Sequence, residues 1–342
     1  MCPPKYDGTM HPEEWIQQVE TFCLCNNIKI STAILYKKLI HPSIKIPSIE
    51  NMITKDEILN ALKAHASFTI FKESCERKLL ALKHIPEKDG GDTVAFLSKF
   101  QSLCYNAEIN DIEVIKNIIY KIMISNEFFK SEFSKRSKKI SSMEELLTLF
   151  SDIIEDEANL IKSGSCIALK HAATGKYLSS VSNLNYKTGS YSQVVFAGET
   201  FPGPNTFWII TFSSQSSKKY PYTNFAFYDD KIYLNHKMTS RTLICSGHYI
   251  SPLYSHTEVG CNIGRHIGYS TAWKLKRHAS STNNNCTCVK SQDRIILQND
   301  DFNKVLRSHE LEFDLNNEKF QEVFGHDKRV GGNDKWIIEL IS

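Results

Sequence analysis

Residues 171–180, HAATGKYLSS, decide the fold, because their setting comes back twice in weaker form. The copies open as CIALKHAATGKYLSS at Cys166, KIYLNHKMTSRTLICS at Lys231 and RIILQNDDFNKVLRS at Arg294. Ile167, Ile232 and Ile295 each stand two residues before Leu169, Leu234 and Leu297. Leu178, Leu243 and Leu306 follow those leucines by nine residues, and Trp208, Trp273 and Trp336 follow them by 39. Three tryptophans in one register define internal repeats of 65 and then 63 residues, and a fixed period takes precedence over any local motif.

Within each repeat the apolar residues alternate, as in half-buried strands. Glycine, serine and asparagine clusters punctuate the chain about every ten residues. Each repeat has room for four short strands: an opening strand, a KYLSS-type strand, one near SQVVFAG, HTEVGC or FQEVFGH, and a closing tryptophan strand. Twelve strands in three like units, with an inward Ile/Leu/Trp set, predict a closed barrel of pseudo-threefold symmetry, a β-trefoil. Closure removes the unpaired edges that invite aggregation. The strand domain is expected over residues 163–342, with repeats at about 165–212, 230–277 and 293–341.

The pattern Leu169, His171, Thr174, Gly175, Leu178 and Ser180, followed by Gln-x-Val and a tryptophan, resembles the MIR domain. That family is named from protein O-mannosyltransferases and the inositol-trisphosphate and ryanodine receptors. Repeat two departs most, with TSRTL for TGKYL and TEVGC for the glutamine motif. The resemblance implies a binding trefoil for a protein or carbohydrate ligand.

Residues 1–162 follow a different period. HPEEWIQQVETFC places Pro12 at a helix start with Glu13 and Glu14 in the first turn, where they favour the helix dipole. Trp15, Val19, Phe22 and Cys23 share one face. Thr54 to Glu57 and Ser142 to Glu145 read as capping boxes, and Asp92 caps the helix carrying Phe96, Phe100 and Leu103. The expectation is therefore an all-helical domain followed by a β-trefoil. The stretches KYDGTMHPEEWIQQVETFC and GGDTVAFLSKFQSLCYNAEI resemble retrotransposon Gag capsid proteins, which implies a capsid-like helical domain capable of self-association. No zinc knuckle and no Asp-Thr/Ser-Gly protease motif accompany it.

The charge is nearly balanced, with 41 Lys and Arg against 38 Asp and Glu. No strongly basic stripe favours nucleic acid. The start of the chain carries no apolar leader, and no run of 18 apolar residues spans a membrane. The ten cysteines then read as reduced thiols, and the expected compartment is cytoplasmic.

No motif supports an enzyme, a cofactor or a metal. FYDD, Phe227 to Asp230, reads as a turn before the second repeat. Cys286-x-Cys288 with His278 lacks the spacing of zinc modules. GHDKRVGGNDK lacks the Gly-Lys-Ser/Thr ending of a P-loop, and Ser246 lacks the flanking glycines of a nucleophile elbow. The basic run Lys130 to Lys139 reads as a solvated loop between helices.

The candidate ligand surfaces are the turns 171–177, 236–241 and 299–307, with His171, Lys176, Tyr177, His236, Arg241, Asn299, Lys304 and Arg307 as candidate binding residues. The alternative expectation is a Gag-derived capsid protein that assembles and binds nucleic acid.

Overall fold

A computed structural model describes residues 3–28, 32–212, 224–253, 256–263, 269–277, 288–327 and 331–341. The chain divides into two compact units, residues 1–154 and 155–342.

The first unit is helical. It is built from α1 (Pro12–Cys25), α2 (Thr32–Leu39), α3 (Lys55–Ala64), α4 (Ala66–Leu80), α5 (Thr93–Asn106), α6 (Ile112–Ile122), α7 (Glu127–Arg136) and α8 (Met143–Ala158), whose last turn runs past residue 154. Thr54 and Glu57 form the full capping box of α3, and Asp92 caps α5 by accepting from the Ala95 amide. At α8 only half the box forms. Ser142 accepts from the Glu145 amide, while the Glu145 carboxylate takes the Ser141 amide instead. Trp15 is fully buried between Tyr6 and Tyr36, and its indole donates to the Pro4 carbonyl at 3.0 Å. A second core stacks Phe96, Phe100, Phe129, Phe133 and Phe150.

The basic run is not a loop. Residues 130–136 lie in α7 and 137–139 in a 3-10 turn, because Asn126 caps the helix and Phe129 and Phe133, four apart, bury one face. Lys130, Lys135 and Arg136 pair with Glu127, Glu132 and Asp152. Three of the run's five basic side chains are thus already partnered within the unit.

One ion network ties α1, α3 and α4 to the residue after α5. Lys63 and Lys72 each reach Glu108 at 2.8 Å, and Lys63 also reaches Glu13 at 2.6 Å. Burial acts to raise the Glu108 carboxyl, but hydrogen bonds from Lys63 and Lys72 outweigh it and hold it down to about 2. A carboxylate with a depressed folded value stabilises the fold above its unfolded value and loses that contribution as pH falls. The helical unit is therefore expected to keep this stabilisation above about pH 5 and to lose it between about pH 4 and pH 2. Urea unfolding at pH 7 and pH 3 checks this, and Glu108→Gln should flatten the difference. An unchanged pH slope in that variant would remove Glu108 as the cause.

The second unit holds thirteen strands among the described residues. These are β1 (Cys166–His171), β2 (Leu178–Asn185), β3 (Gln193–Ala197), β4 (Trp208–Phe212), β5 (Lys231–His236), β6 (Thr242–Ile250), β7 (Thr257–Asn262), β8 (Tyr269–Ser270), β9 (Trp273–Arg277), β10 (Arg294–Asn299), β11 (Val305–Leu315), β12 (Glu318–His326) and β13 (Trp336–Leu340). Twelve are the expected four per repeat; β8 is an added two-residue strand on β6.

Opening and closing strands pair in one ring, β13–β1–β4–β5–β9–β10 and back to β13, all antiparallel. The hairpins β2–β3, β6–β7 and β11–β12 join one another through β3–β7, β7–β12 and β12–β3. A six-stranded barrel carrying three mutually paired hairpins is a β-trefoil.

Ile167, Leu169, Leu178, Trp208 and their repeat mates form one core, fully withdrawn from solvent. A further threefold device escapes the alternating pattern. Ile161 donates to the Val289 carbonyl, Val289 to that of Ala226, and Ala226 to that of Ile161, at 2.8–3.0 Å. All three residues are buried and stand six before the opening isoleucines. This ring belongs to the strand unit although it begins before residue 163.

Candidate functional site

The motif residues at the turns face inward. His171 is fully buried; one ring nitrogen lies 2.9 Å from the Thr174 hydroxyl and the other 3.0 Å from the Asn333 carbonyl. His236 repeats this with Thr239 and the Asn205 carbonyl at 3.0 and 3.1 Å. Burial lowers the basicity of both rings. Asn299 does the same work in repeat three: its amide donates to the Ala272 carbonyl and its carbonyl accepts from the Phe302 amide. The expectation that His171, His236 and Asn299 offer groups to a ligand is therefore corrected. Their polar atoms are spent in pinning the turns.

Arg307 makes a two-pronged pair with buried Asp334, at 2.7 and 2.8 Å. Tyr177 is buried and donates to Glu339 at 2.7 Å. Lys304 pairs with Asp327 at 3.0 Å, and Lys176 lies 3.7 Å from Glu312. Lys176, Arg241 and Lys304 hold the same position in their repeats, and each follows a residue with positive φ, namely Gly175, Ser240 and Asn303. Of the eight candidates, Lys176, Arg241, Lys304 and Arg307 are partly exposed, and Arg307 spends its guanidinium on Asp334.

The rest of the motif is also internal. Gln193 donates to the Ser180 hydroxyl at 2.6 Å and to Thr239 of the next repeat at 3.2 Å. Gln321 donates to Ser308 at 2.9 Å and to Thr174 of repeat one at 3.3 Å. At the junction of repeats two and three, Thr257 replaces the glutamine and Phe302 the threonine. Both partners of that bond are gone together, which leaves no buried amide unsatisfied. Each tryptophan indole donates to a leucine carbonyl of its own repeat, at 2.9–3.2 Å. The pattern that carries the family resemblance thus encodes the barrel, and the residues that differ between repeats lie elsewhere.

Those residues gather at the hairpin tips. Val194, Glu258 and Glu322 hold one position in the three repeats, on β3, β7 and β12, and all are buried. The hairpin that each faces explains the choice. Glu258 accepts from the Ser190 amide in the tip of hairpin one, at 3.4 Å, and Glu322 from the Leu253 amide in the tip of hairpin two, at 2.9 Å. Hairpin three closes on Asn316–Asn317, both with positive φ, as a two-residue turn needs. That tight turn brings Phe313, Leu315 and Phe320 against Val194. Long tips with free amides take a carboxylate, and the tight turn takes a valine.

At the junction of hairpins one and two lies a tyrosine face. Tyr191 is 66% exposed at φ +56°, a conformation bulky residues avoid. Tyr249 is 40% exposed, and its ring centroid lies 6.4 Å from that of Tyr269. The Ser190 and Ser192 side chains lie beside the Tyr269 hydroxyl. Gly189, at φ +74°, is required because a Cβ there would stand 2.4 Å from the Glu258 carboxylate. Tyr186 closes the base, buried, with its hydroxyl donating to the Val259 carbonyl. Burial pushes the Glu258 carboxyl above the usual carboxylate range. Ile250 is exposed at the tip end of β6, and Ile263, also exposed, follows β7 at the opposite end of that hairpin. Aromatic residues set in the polar turns GSYS, HYIS and GYS were the available sequence signal.

FYDD is a turn: Asp229 has positive φ and the Asp230 carboxylate accepts from the Phe227 amide. His278 and Cys286 lie outside the described residues, and no group of three metal-ligating side chains occurs among those described. No described helix is long and apolar enough to cross a membrane.

No family model matches the chain, so neither the MIR nor the Gag resemblance has a counterpart there, and no curated protein matches it. Solved structures do. The SDF2-like protein from Arabidopsis thaliana is 25% identical, with a TM-score of 0.45, over 52% of this chain and 94% of that one. The Saccharomyces cerevisiae protein O-mannosyltransferase Pmt1-Pmt2 complex bound to the sugar donor is 17% identical, with a TM-score of 0.45, over 72% of this chain and 36% of that one. The designed three-fold symmetric protein ThreeFoil is 13% identical, with a TM-score of 0.32, over 52% of this chain and 99% of that one.

Proposed function

We propose that the strand unit is a non-enzymatic, MIR-type binding module and that it grips a segment of a protein partner on the tyrosine face. The carrying observation is the Tyr249–Tyr269 ring pair with Gly189 of the first hairpin tip against Tyr249, beside the exposed Tyr191 of that tip and Ile250 at the tip end of β6. Protein interfaces are enriched in aromatic residues, and tyrosine offers wide contact at little entropic cost. A strained, exposed Tyr191 is backbone energy held at a surface, more than a passive turn needs.

Selection of a displayed peptide library on the full chain tests this. Selected peptides are expected to lose about tenfold or more in affinity on Tyr249→Ala, the scale of an interface anchor. Met238→Ala, at an exposed residue in the turn 236–241, should change nothing. The reverse pattern would return the ligand to the turns. Binding confined to oligosaccharides on a glycan array would replace the partner class.

A further inference from the structure

We propose that Glu258 is the acceptor for a basic side chain, a lysine-type ammonium, presented by the segment that binds the tyrosine face; this rests on that face being the binding site. Glu258 is 2% exposed, and no Lys, Arg or His among the described residues pairs with it. Its Oε1 has no hydrogen-bond partner, and its carboxylate meets only Ser190, whose amide donates to Oε2 at 3.4 Å and whose hydroxyl lies beside it. A buried carboxylate without a cation is costly, and the ligand best able to recover that cost carries one.

The repeat mates sharpen the point. Position 194 is an apolar valine, and Glu322 has the His309 ring 3.5 Å away as well as a good amide bond. Among the described residues, repeat two alone keeps a buried carboxylate at this position with neither a cation nor a strong donor. Its neighbours Tyr249 and Tyr269 supply ring faces, which attract an ammonium within about 6 Å. The tip at residues 189–192 covers the carboxylate, so the ligand must displace it. Its tether to Glu258 is the 3.4 Å bond of Ser190, and displacement lets Tyr191 leave its positive φ.

The test uses Nα-acetyl-lysine N-methylamide as probe, titrated into the full chain while the Gly189 and Ser190 amide resonances are followed. Shifts at both amides are expected to saturate. The norleucine analogue, and the lysine probe on Glu258→Gln, should each bind about fivefold or more weakly. Glu258→Val, which installs the residue of repeat one, serves if the glutamine variant fails to fold. Equal binding of the two analogues, full binding to the Glu258 variants, or no shifts at all would overturn the assignment. The tyrosine face would survive that outcome if selected peptides still depended on Tyr249. Peptides indifferent to Tyr249→Ala would remove the face itself.

Discussion

Replacing Trp208, Trp273 or Trp336 with alanine is expected to destabilise the strand unit by about 3–5 kcal/mol at each position. All three side chains are fully buried, and each ties the closing strand of its repeat to the carbonyl of Leu178, Leu243 or Leu306. Alanine removes the packed volume and leaves that carbonyl without its donor, so the transfer, cavity and hydrogen-bond losses add. Domain stabilities are of order 5–15 kcal/mol, so one such change consumes a large part of the total. Urea unfolding of the full chain, followed by the fluorescence of the remaining strand-unit tryptophans, reads the loss. Near-equal costs at the three positions are expected from the pseudo-symmetry. A cost below about 1 kcal/mol at one of them would show that its repeat carries no equal share of the core.

Arg307→Ala is expected to cost about 3–5 kcal/mol, because it strands the Asp334 carboxylate in the interior. Asp334 is fully buried, takes both prongs of the guanidinium, and also accepts from the Gly331 amide at 2.6 Å. Arg307→Lys should restore only part of this, since a lysine cannot reproduce the planar two-pronged contact. Thermal unfolding orders the three proteins, with the lysine variant in the middle. A fully stable alanine variant would mean that Arg307 is free for a ligand after all.

The barrel was legible because its evidence is periodic. The Ile-x-Leu pairs, the later leucines and the tryptophans sit on one register, and the helical half announces itself through Pro12, the Thr54–Glu57 box and the Asp92 cap. The hub of Ile161, Ala226 and Val289 was also repeated, but single apolar residues six positions before a strand carry no local pattern. The helix over the basic run was hidden by its charges, which outweighed the spacing of Phe129 and Phe133.

The tyrosine face was hidden for a different reason. Loops that are free to vary break the symmetry that the repeats keep, so Tyr191, Tyr249 and Tyr269 share no register. His171 and His236 do share one and mark the turns, although their side chains point into the fold. Repetition marks what every repeat needs to fold; a ligand site needs only one junction.

The most direct measurement is the map of backbone amide shifts in the full chain on titration with a library-selected peptide. Shifts confined to residues 187–192, 246–250, 258–263 and 269–270 are the result expected if the ligand sits on the tyrosine face. Shifts centred on residues 172–176, 237–241 and 300–304, with the tyrosine face silent, would contradict it.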